Sequence, residues 1–398
     1  MSKIKKHKIT IIGSGLVGMT LALKIASQGI NVLLIDKVSD NNLLNIKDSR
    51  TSAISQGSAR ILSELGLWEQ IKKECQPILD IVVTEGLSNN KIFFQSSELG
   101  EGPLGYIVNN KFLKEFIYRN VKKSKNIQFI QNSTLKKIKS NPFYVELTTN
   151  KARIHTSLVV GADGRFSNTR SLANLKYFYH DYRQCAYVFN ICHKREHQSK
   201  ALERFFPSGP LAILPMKKKK SKNLSSVVWT IKNFNSNSQR IFEQNFKQEF
   251  MNKYGDFFGS VLKIEKPAKY NLNVFSCYEP FKNRVVLVGD ANQAIHPIAG
   301  QGLNLGFRDS KVLAEVIVEA KNLGFDIGSE IVLNKYLKRR YVDKNLLFQA
   351  THSLNNLFSS ENFFLQKIRK SGLRIFNKSG LLKKQSMMFA MGLRNFEI

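Results

Sequence analysis

The stretch that decides the fold is VVLVGDANQAIHPIAGQGLNLGFRD, residues 285–309. It opens with a β-branched apolar run, Val285–Val288, which predicts a short buried strand. The strand ends at Gly289 and Asp290, and a loop follows. A strand that leads into a glycine-lined loop and a helix start can hold an anion or the electron-rich edge of a ring. The segment therefore predicts a binding loop at the end of a buried strand.

The same loop leads into a helix. His296 and Pro297 lie within it, and Gly300 and Gly302 close it before apolar residues recur at helical spacing. The first backbone N–H groups of such a helix have no partner inside it, and they carry the positive end of its dipole. Alone, this is one glycine-rich loop among many, so its meaning depends on two segments upstream.

The first upstream segment is GSGLVG, residues 13–18. It follows an apolar strand, Lys8–Ile12, and opens an apolar-periodic helix predicted to reach about Gln28. A second apolar run, Val32–Ile35, ends on an acid that can take both ribose hydroxyls. Because the glycines permit a tight turn and a close approach to pyrophosphate, this predicts a dinucleotide site built from Gly13, Gly15, Gly18 and Asp36. Taken alone, the acid is also explained as an ordinary turn residue.

The second upstream segment is LVVGADGRFSNTR, residues 158–170. Another apolar strand ends in a turn that contains Asp163. Taken alone, ADG is simply a favourable turn sequence. Its value comes from its place between the other two motifs.

The three motifs, in this order, resemble the single-component FAD-dependent aromatic hydroxylases of the para-hydroxybenzoate hydroxylase type. The wording HPIAGQGLNLGFRD is most similar to the ubiquinone-biosynthesis hydroxylases within that class. The resemblance covers essentially the whole chain, and further matching segments are DSRTSAIS at 48–55, LGLW at 65–68, LGY at 104–106, ERF at 203–205, GPLAILP at 209–215 and AMGL at 390–393.

The resemblance implies an α/β fold, in which a Rossmann-like FAD-binding domain of the GR2 type carries an inserted β-sheet substrate domain and a helical C-terminus. We expect a discontinuous FAD-binding domain, a substrate-binding sheet domain and a C-terminal helical segment. The FAD-binding domain is predicted to comprise residues 1–70, 101–175 and 273–345. The substrate-binding sheet domain is predicted to comprise 71–100 and 176–272, and the C-terminal helical segment 346–398.

The resemblance also assigns roles to single residues. Asp290 is expected at the ribityl or pyrophosphate part of FAD, Arg50 at the phosphates or the isoalloxazine, and Asp163 near the flavin chain, with a link to NAD(P)H use. The backbone N–H groups that should face the flavin N1–C2=O edge are those of Gly302, Leu303 and Asn304. The expected cofactor-binding set is completed by Gly13, Gly15, Gly18, Asp36, Gly289 and Gly300.

The two residues expected next to the flavin ring are His296 and Pro297. The Pro297 carbonyl would point at the activated oxygen or at a substrate hydroxyl. For His296, a structural role in the loop and a role in proton transfer both stay open.

The activity implied is hydroxylation of the aromatic ring of a polyprenylated phenol in ubiquinone biosynthesis. NAD(P)H and O₂ would be co-substrates, and O₂ would be activated as a flavin C4a-hydroperoxide. No second dinucleotide fingerprint is present, so NAD(P)H should bind transiently. Two alternatives stay open: a monooxygenase on a soluble aromatic or secondary metabolite, and a non-catalytic flavin-binding subunit of an assembly.

Charge is the strongest feature of the composition. The 398 residues include 61 Lys and Arg against 30 Asp and Glu, a net charge of +31. No recognised nucleic-acid module is present, which disfavours a nucleic-acid partner. Lysine-rich coding bias and attraction to an anionic membrane surface explain the charge equally well. Since no continuous apolar run approaches the ~20 residues of a membrane span, we expect a cytoplasmic protein. The charge adds peripheral contact to the inner membrane as a candidate association, and the resemblance adds a ubiquinone-biosynthesis protein complex.

Cysteine spacing argues against both disulfides and metal. Cys75, Cys185, Cys192 and Cys277 form no CxxC pair, which predicts free thiols in a reducing compartment. The one metal-like cluster, ICHKREH at 191–197, fits an alternating strand better than a zinc site.

Strand patterns predict the pairing of the substrate sheet. We expect Ile81–Val83 to pair with Lys91–Phe94, and Leu211–Met216 with Val227–Ile231. Tyr187–Cys192 is expected to form a hairpin with Leu202–Phe206. The basic run Lys217–Lys220 is predicted as a solvated hairpin loop, with contact to a membrane or a partner protein as the alternative.

Overall fold

The computed structural model describes residues 5–39, 48–88, 91–232, 236–359, 376–377 and 379–393. Its strands, in chain order, are β1 (Lys5–Ile12), β2 (Val32–Ile35), β3 (Thr51–Ser55), β4 (Gln76–Ile78), β5 (Asp80–Glu85), β6 (Lys91–Gln95), β7 (Gly105–Asn109), β8 (Ile127–Ile130), β9 (Leu135–Ser140), β10 (Val145–Thr149), β11 (Arg153–Gly161), β12 (Tyr177–His193), β13 (Lys200–Phe206), β14 (Gly209–Lys219), β15 (Lys222–Lys232), β16 (Val261–Ile264), β17 (Ala268–Cys277), β18 (Phe281–Lys282), β19 (Val285–Leu287) and β20 (Gln293–Ala294). The α-helices are α1 (Leu16–Ala26), α2 (Gln56–Glu64), α3 (Trp68–Lys73), α4 (Asn110–Lys123), α5 (Asn168–Leu172), α6 (Ser236–Gln244), α7 (Phe246–Tyr254), α8 (Gly302–Asn322), α9 (Glu330–Ser359) and α10 (Gly380–Ala390).

The first sheet has the strand order β18-β19-β11-β1-β2-β8, with β10 and β9 attached through β11. β1 is parallel to β2 and β11, β2 to β8, and β11 to β19. Parallel neighbours need crossover connections, and α1 connects β1 to β2. The carboxyl ends of these strands therefore meet at one edge, where the registers pair Ile12 with Ile35 and Gly161, and Gly161 with Leu287.

Helices cover one face of this sheet. α1, α4 and α8 bury apolar side chains against β1, β2 and β11 in a single large cluster, which includes Met19, Ile117 and Phe307. A smaller cluster around Leu33, Val145 and Val159 fills the opposite face. Since both faces are buried, the strands read as continuous apolar runs, which is why the sequence located them.

The second sheet has the order β20-β17-β12-β15-β14-β13-β5-β6, and β16 also pairs with β12. Its outer face packs against α6 and α7 in an aromatic cluster around Trp229, Phe246 and Phe250. A small third sheet, β3-β7-β4, contains the residues that follow Arg50.

Two of the predicted strand pairings are confirmed and one is wrong. Leu211 pairs with Trp229 in β14 and β15, and Ile81 pairs with Phe94 in β5 and β6. The predicted hairpin of Tyr187–Cys192 with Leu202–Phe206 does not form. β12 pairs with β15 and β17, whereas β13 pairs with β14 and β5. In the order of the sheet, the β14–β15 hairpin lies between the two segments.

The basic run lies in the β14–β15 hairpin. Lys217, Lys218 and Lys219 belong to β14, and the tight turn is at Lys220 and Ser221, both with positive φ. Lys217 pairs with Glu74 and Lys218 with Glu196, in exposed ion pairs.

The C-terminal part is helical where it is described. α9 runs without a break through the predicted domain boundary at residue 345. The division of the chain into domains stays a prediction. Phe363 and Phe364, which contribute to the apolar character of this region in the sequence, lie outside the described residues. Among the described residues, no helix is long and apolar enough to cross a membrane.

Candidate active site

Glycine is required at two positions of the turn between β1 and α1. A Cβ on Gly13 would lie 2.4 Å from the Ala162 carbonyl oxygen, and one on Gly18 would lie 2.1 Å from the Gly13 carbonyl oxygen. Gly15 differs, because no described residue lies within 4 Å of the place where its Cβ would be. In the part of the chain that the structure describes, no side chain caps the N-terminus of α1. Its free N–H groups therefore face open space of the kind that a pyrophosphate fills.

Asp36 closes the same turn from the end of β2. Its Oδ2 accepts hydrogen bonds from Ser14 N at 2.5 Å and Ser14 Oγ at 2.7 Å, and its Oδ1 accepts one from Val38 N at 2.9 Å. The two oxygens of a carboxylate offer about four acceptor positions. Asp36 thus shapes the loop and keeps limited capacity for a ribose hydroxyl.

Asp163 lies beside this turn but is occupied by its own chain. Its carboxylate accepts hydrogen bonds from Ser167 Oγ at 2.5 Å and from Thr169 N and Oγ1, both at 2.9 Å. These contacts hold the start of α5. The Asp163 Cα would be 2.8 Å from a Cβ on Gly13, so the predicted second motif does contact the first.

Residues 289 and 290 reach the same edge because they follow β19, which runs parallel to β11. At this point α8 packs closely on α1. A Cβ on Gly306 would lie 2.5 Å from Val17 Cγ2, and one on Gly289, which has φ of +58°, would lie 3.1 Å from Val17 Cγ1. Asp290 is exposed at this point, but the protein around it partly desolvates its carboxyl and raises its pKa, while Arg165 opposes the shift. Among the described residues, no donor forms a hydrogen bond with Asp290, which leaves its carboxylate free for a ligand hydroxyl.

The start of α8 is the second open helix end. Gln301 precedes the helix without providing a side-chain cap, and none of the residues that the structure describes lies within 4 Å of a Cβ placed on Gly302. Asn304 is fully buried; its Oδ1 accepts from Ser55 N and its Nδ2 donates to the Ala53 carbonyl, both at 2.9 Å. The Asn304 side chain therefore attaches α8 to β3. The backbone N–H groups of Gly302, Leu303 and Asn304 remain the groups able to face a ligand.

Arg50 lies just before β3. It forms a two-point ion pair with Asp48, through Nε at 2.8 Å and Nη2 at 2.7 Å, and its guanidinium lies 5.4 Å from the centre of the Tyr270 ring. Asn190 of β12 donates to the neighbouring Ser49 carbonyl at 3.2 Å. Arg50 thus lies where the two large sheets approach each other.

The geometry of His296 favours a structural role. The side chain is 1% exposed, Ile298 N donates to its Nδ1 at 3.4 Å, and its Nε2 lies 3.2 Å from Gln184 Oε1. With Nδ1 as acceptor, the proton is assigned to Nε2. Burial, with a smaller effect from His352, lowers the pKa of His296 to about 4. The ring is therefore neutral at pH 7.

Pro297 is half-buried, and its carbonyl already accepts a hydrogen bond from Gly300 N at 3.0 Å. That bond stabilises the bend before α8 and leaves one lone pair of the carbonyl oxygen for another donor.

The loop after β20 lies across the second sheet. We call the side of this sheet that faces away from α6 and α7 the inner face. Gln184, the partner of His296, lies on the inner face of β12, and Phe205, also on the inner face, clusters with Ile298 and Phe358. Phe205 and Phe358 stack with ring centres 4.0 Å apart. We therefore take the inner face beside this loop as one wall of the candidate substrate cavity.

Sequence reasoning missed the acidic residue of this cavity. Glu203 lies on the inner face of β13, between Ala201 and Phe205, and is half-buried. The signal was present in the sequence KALERFF, residues 200–206: a single acid at the inward position of an apolar strand.

Two uncapped helix starts, two tight glycine turns and a strand-end acid meet at one edge of a parallel sheet, and this arrangement is that of a dinucleotide-binding protein. The chain belongs to the FAD binding domain family, whose sequence profile matches residues 6–340.

The chain is also similar to characterised relatives over its length. It is 35% identical to ubiquinone hydroxylase UbiL of Rhodospirillum rubrum, an alignment that covers 98% of this chain and 90% of that protein. It is 28% identical to 3-demethoxyubiquinol 3-hydroxylase of Escherichia coli, and that alignment covers 97% of this chain and 98% of the E. coli protein. Among solved structures, p-nitrophenol 4-monooxygenase PnpA from Pseudomonas putida DLL-E4 superimposes with a TM-score of 0.83 at 18% sequence identity. The superposition covers 99% of this chain and 100% of PnpA.

These matches confirm the predicted fold class, the FAD cofactor and the flavin-dependent monooxygenase class. The open space before Gly15 and Gly302 fits the cofactor, since a larger residue at either position would fill it. The roles predicted for single residues toward FAD stay predictions.

Proposed function

We propose that this protein hydroxylates the aromatic ring of a polyprenylated phenol in ubiquinone biosynthesis, with NAD(P)H and O₂ as co-substrates. The observation that carries the proposal is similarity over nearly the whole chain to proteins named as ubiquinone hydroxylases. The cavity agrees with it, because the inner face is mainly apolar and would suit a ring with an isoprenoid tail.

The cofactor would be held by groups from three segments. Gly13, Gly15 and Gly18 would receive the pyrophosphate at the start of α1, with Asp36 at the ribose. Asp290 would bind a hydroxyl of the ribityl chain. Bound FAD supplies the reducing power and the activation of O₂ that the reaction requires. The N-terminus of α8 would stabilise the negative charge that a reduced flavin ring carries.

Protein side chains would orient the substrate and exclude water. Phe205, Phe358 and Ile298 close one side of the cavity with apolar surface. His296 would hold the loop against Gln184 without carrying charge. Such a dry site prevents loss of the activated oxygen to water before it meets the ring.

Two associations extend the proposal. The net charge of +31 favours contact with an anionic membrane surface, where a polyprenylated substrate resides. We infer a cytoplasmic protein that binds the inner membrane peripherally, and a ubiquinone-biosynthesis complex would bring it next to its substrate.

The test is a quinone profile of a strain from which the gene has been deleted. Mass spectrometry should show lost ubiquinone and one accumulated prenylated precursor that lacks a ring hydroxyl. The intact gene should restore ubiquinone, whereas a Gly15→Val variant should not. Normal ubiquinone without a precursor would refute the proposal and favour a soluble aromatic substrate.

Catalysis by the purified protein is the second part of the test. NAD(P)H oxidation that rises with added prenylated phenol, together with hydroxylated product, is expected. Bound FAD with no product from any phenol would favour a non-catalytic flavin subunit instead.

A further inference from the structure

One row of side chains crosses the inner face from strand to strand. Val83 of β5 pairs with Glu203 of β13, which pairs with Ala212 of β14. Ala212 pairs with Val228 of β15, and Val228 with Val188 of β12. Directly paired residues share a face, so these five side chains form one line, which we call the central row. Glu203 is its single polar member.

Among the described residues, the central row is less deeply buried than most of the inner face beside it, although Val83 packs against the cluster of Phe205, Ile298 and Phe358. All five of its members are half-buried. On one side, Phe205 and Gln184 contact the His296–Ile298 loop. On the other side, Ala201 clusters with Met387 and Met391 of the C-terminal segment, and Asn190 bonds to Ser49. As far as the described residues show, the central row thus forms the floor of a partly open apolar strip that begins beside the His296 loop.

The Glu203 carboxyl has no compensating partner in this strip. Among the described residues, none forms a hydrogen bond or an ion pair with it. Burial raises its pKa to about 8, with no charged neighbour contributing. Titratable groups on the elements around it include Glu85 on β5, Lys218 on β14, His296 on the loop, His352 on α9 and Lys383 on α10. Lys218 is paired with Glu196, and Lys383 with Glu98. A carboxyl without a partner in an apolar site costs stability, which is the signature of a group kept for a ligand.

We propose that Glu203 is a catalytic residue that binds the ring hydroxyl of the substrate and acts on its proton. This inference rests on the proposed function. As the ring attacks the activated oxygen, the phenol O–H bond breaks, its proton passes to the Glu203 carboxylate, and the electron pair moves into the ring. A C–O bond then forms with one atom of O₂, and the other atom leaves as water, with both electrons supplied by NAD(P)H.

The proton then returns. The hydroxylated ring is first a dienone. As aromaticity is restored, the proton on its tetrahedral carbon is released and balances the proton taken up by the oxygen atom that leaves as water. The carbonyl oxygen of the dienone regains a proton from Glu203, so the carboxylate is ready for the next turnover. A base with a pKa near the working pH is better suited to this exchange than an ordinary glutamate.

The decisive variant is Glu203→Gln, which keeps the shape of the side chain and removes the base. Product formation should fall about 10²- to 10³-fold, the usual loss when a general base is removed. FAD content should be unchanged, and NAD(P)H oxidation should continue but yield peroxide in place of product. Glu203→Asp should restore part of the product yield. The matched control is Glu196→Gln, in the exposed turn before β13, which should behave as the wild type.

The pH profile separates catalysis from a merely structural role. In the wild type, the product-forming rate should rise with pH through about 8, following ionisation of Glu203. This limb should be absent in Glu203→Gln. An unchanged rate, coupling ratio and pH profile in that variant would overturn the inference.

A substrate change tests the same idea without any variant, should Glu203→Gln not fold. With the ring hydroxyl replaced by a methyl ether, the wild-type pH limb should disappear and coupling should fall. A methyl ether hydroxylated as well as the phenol, with the same pH limb, would refute the inference. If the wild type hydroxylates no prenylated phenol at all, the proposed function itself fails, which is a distinguishable result.

Discussion

The buried ion pair between α8 and α9 gives the sharpest stability prediction. Asp309 is 1% exposed; its Oδ1 accepts from Arg340 Nε at 2.7 Å and its Oδ2 from Gly289 N at 2.9 Å. Burial alone would lower the pKa of Arg340, but Asp309 and Asp343 raise it. In Asp309→Asn the amide nitrogen cannot accept a hydrogen bond, so the bond from Arg340 or the bond from Gly289 is lost. The buried Arg340 guanidinium also loses one of its two negatively charged partners.

The magnitude follows from what remains. Removing one partner of a buried pair costs about 3–5 kcal/mol, and Arg340 keeps Asp343, so we expect a loss of about 3 kcal/mol. The matched control is Glu319→Gln. Glu319 joins the same two helices through Lys335 and Arg339, but it lies at the surface, where such a pair contributes below about 1 kcal/mol.

The assay is urea unfolding followed by tryptophan fluorescence. The chain has two tryptophans: Trp68 packs against Tyr106 in the core of the first sheet, and Trp229 lies in the second sheet. In a Trp229→Phe background the signal reports the core that contains α8. If Asp309→Asn unfolds within about 1 kcal/mol of its parent, the pair is not the structural link proposed here.

Three further outcomes are expected. Gly15→Val should raise the FAD dissociation constant by at least about tenfold, because its side chain enters the open space before α1, while apoprotein stability stays near that of a Gly380→Ala control; equal FAD affinity would contradict this. The pKa of His296 is lowered from 6.5 to about 4, so the unfolded chain takes up the proton before the folded protein does as the pH falls. The free energy of unfolding should therefore decrease by up to about 3 kcal/mol as the pH is lowered from 6.5 to about 4. His296→Gln should lack this loss in urea unfolding across that range, and an identical pH dependence would argue against a neutral buried ring. Sedimentation with vesicles should show binding to anionic but not neutral lipid, weakening with salt; binding to neither would leave the net charge without this role.

Much of the first sheet could be predicted because its signals are local. A parallel strand buried on both faces is a continuous apolar run, and Gly13 and Gly18 are required by backbone contacts within the same turn. The helix predicted to reach about Gln28 ends at Ala26, with Gly29 at φ of +69° just after it. Asp36 follows β2 directly, so its place at the sheet edge comes with the strand.

The second sheet was harder because its pairing is non-local. The residues around Cys192 and Leu202 are neighbours in sequence and attractive as a hairpin, but β12 instead pairs with β15 and β17. Alternation shows which residues share a face, yet it does not show which strands are adjacent. For this reason the sequence showed Glu203 only as an acid in an apolar strand. The strand register then showed that it is the single polar residue in a row of apolar side chains across the sheet.

The motif residues divide into two groups that the sequence does not distinguish. The side chains of Asp163, Asn304 and Asp309 are used within the protein, where they hold α5, β3 and the Gly289 backbone. Gly15 and Gly302 have open space in front of them. Substitutions in the first group should therefore reduce stability before they reduce FAD affinity. Substitutions in the second should reduce affinity in a protein that still folds. Asp309→Asn and Gly15→Val test the two halves of this division, and equal effects of both variants on stability and affinity would show that it is wrong.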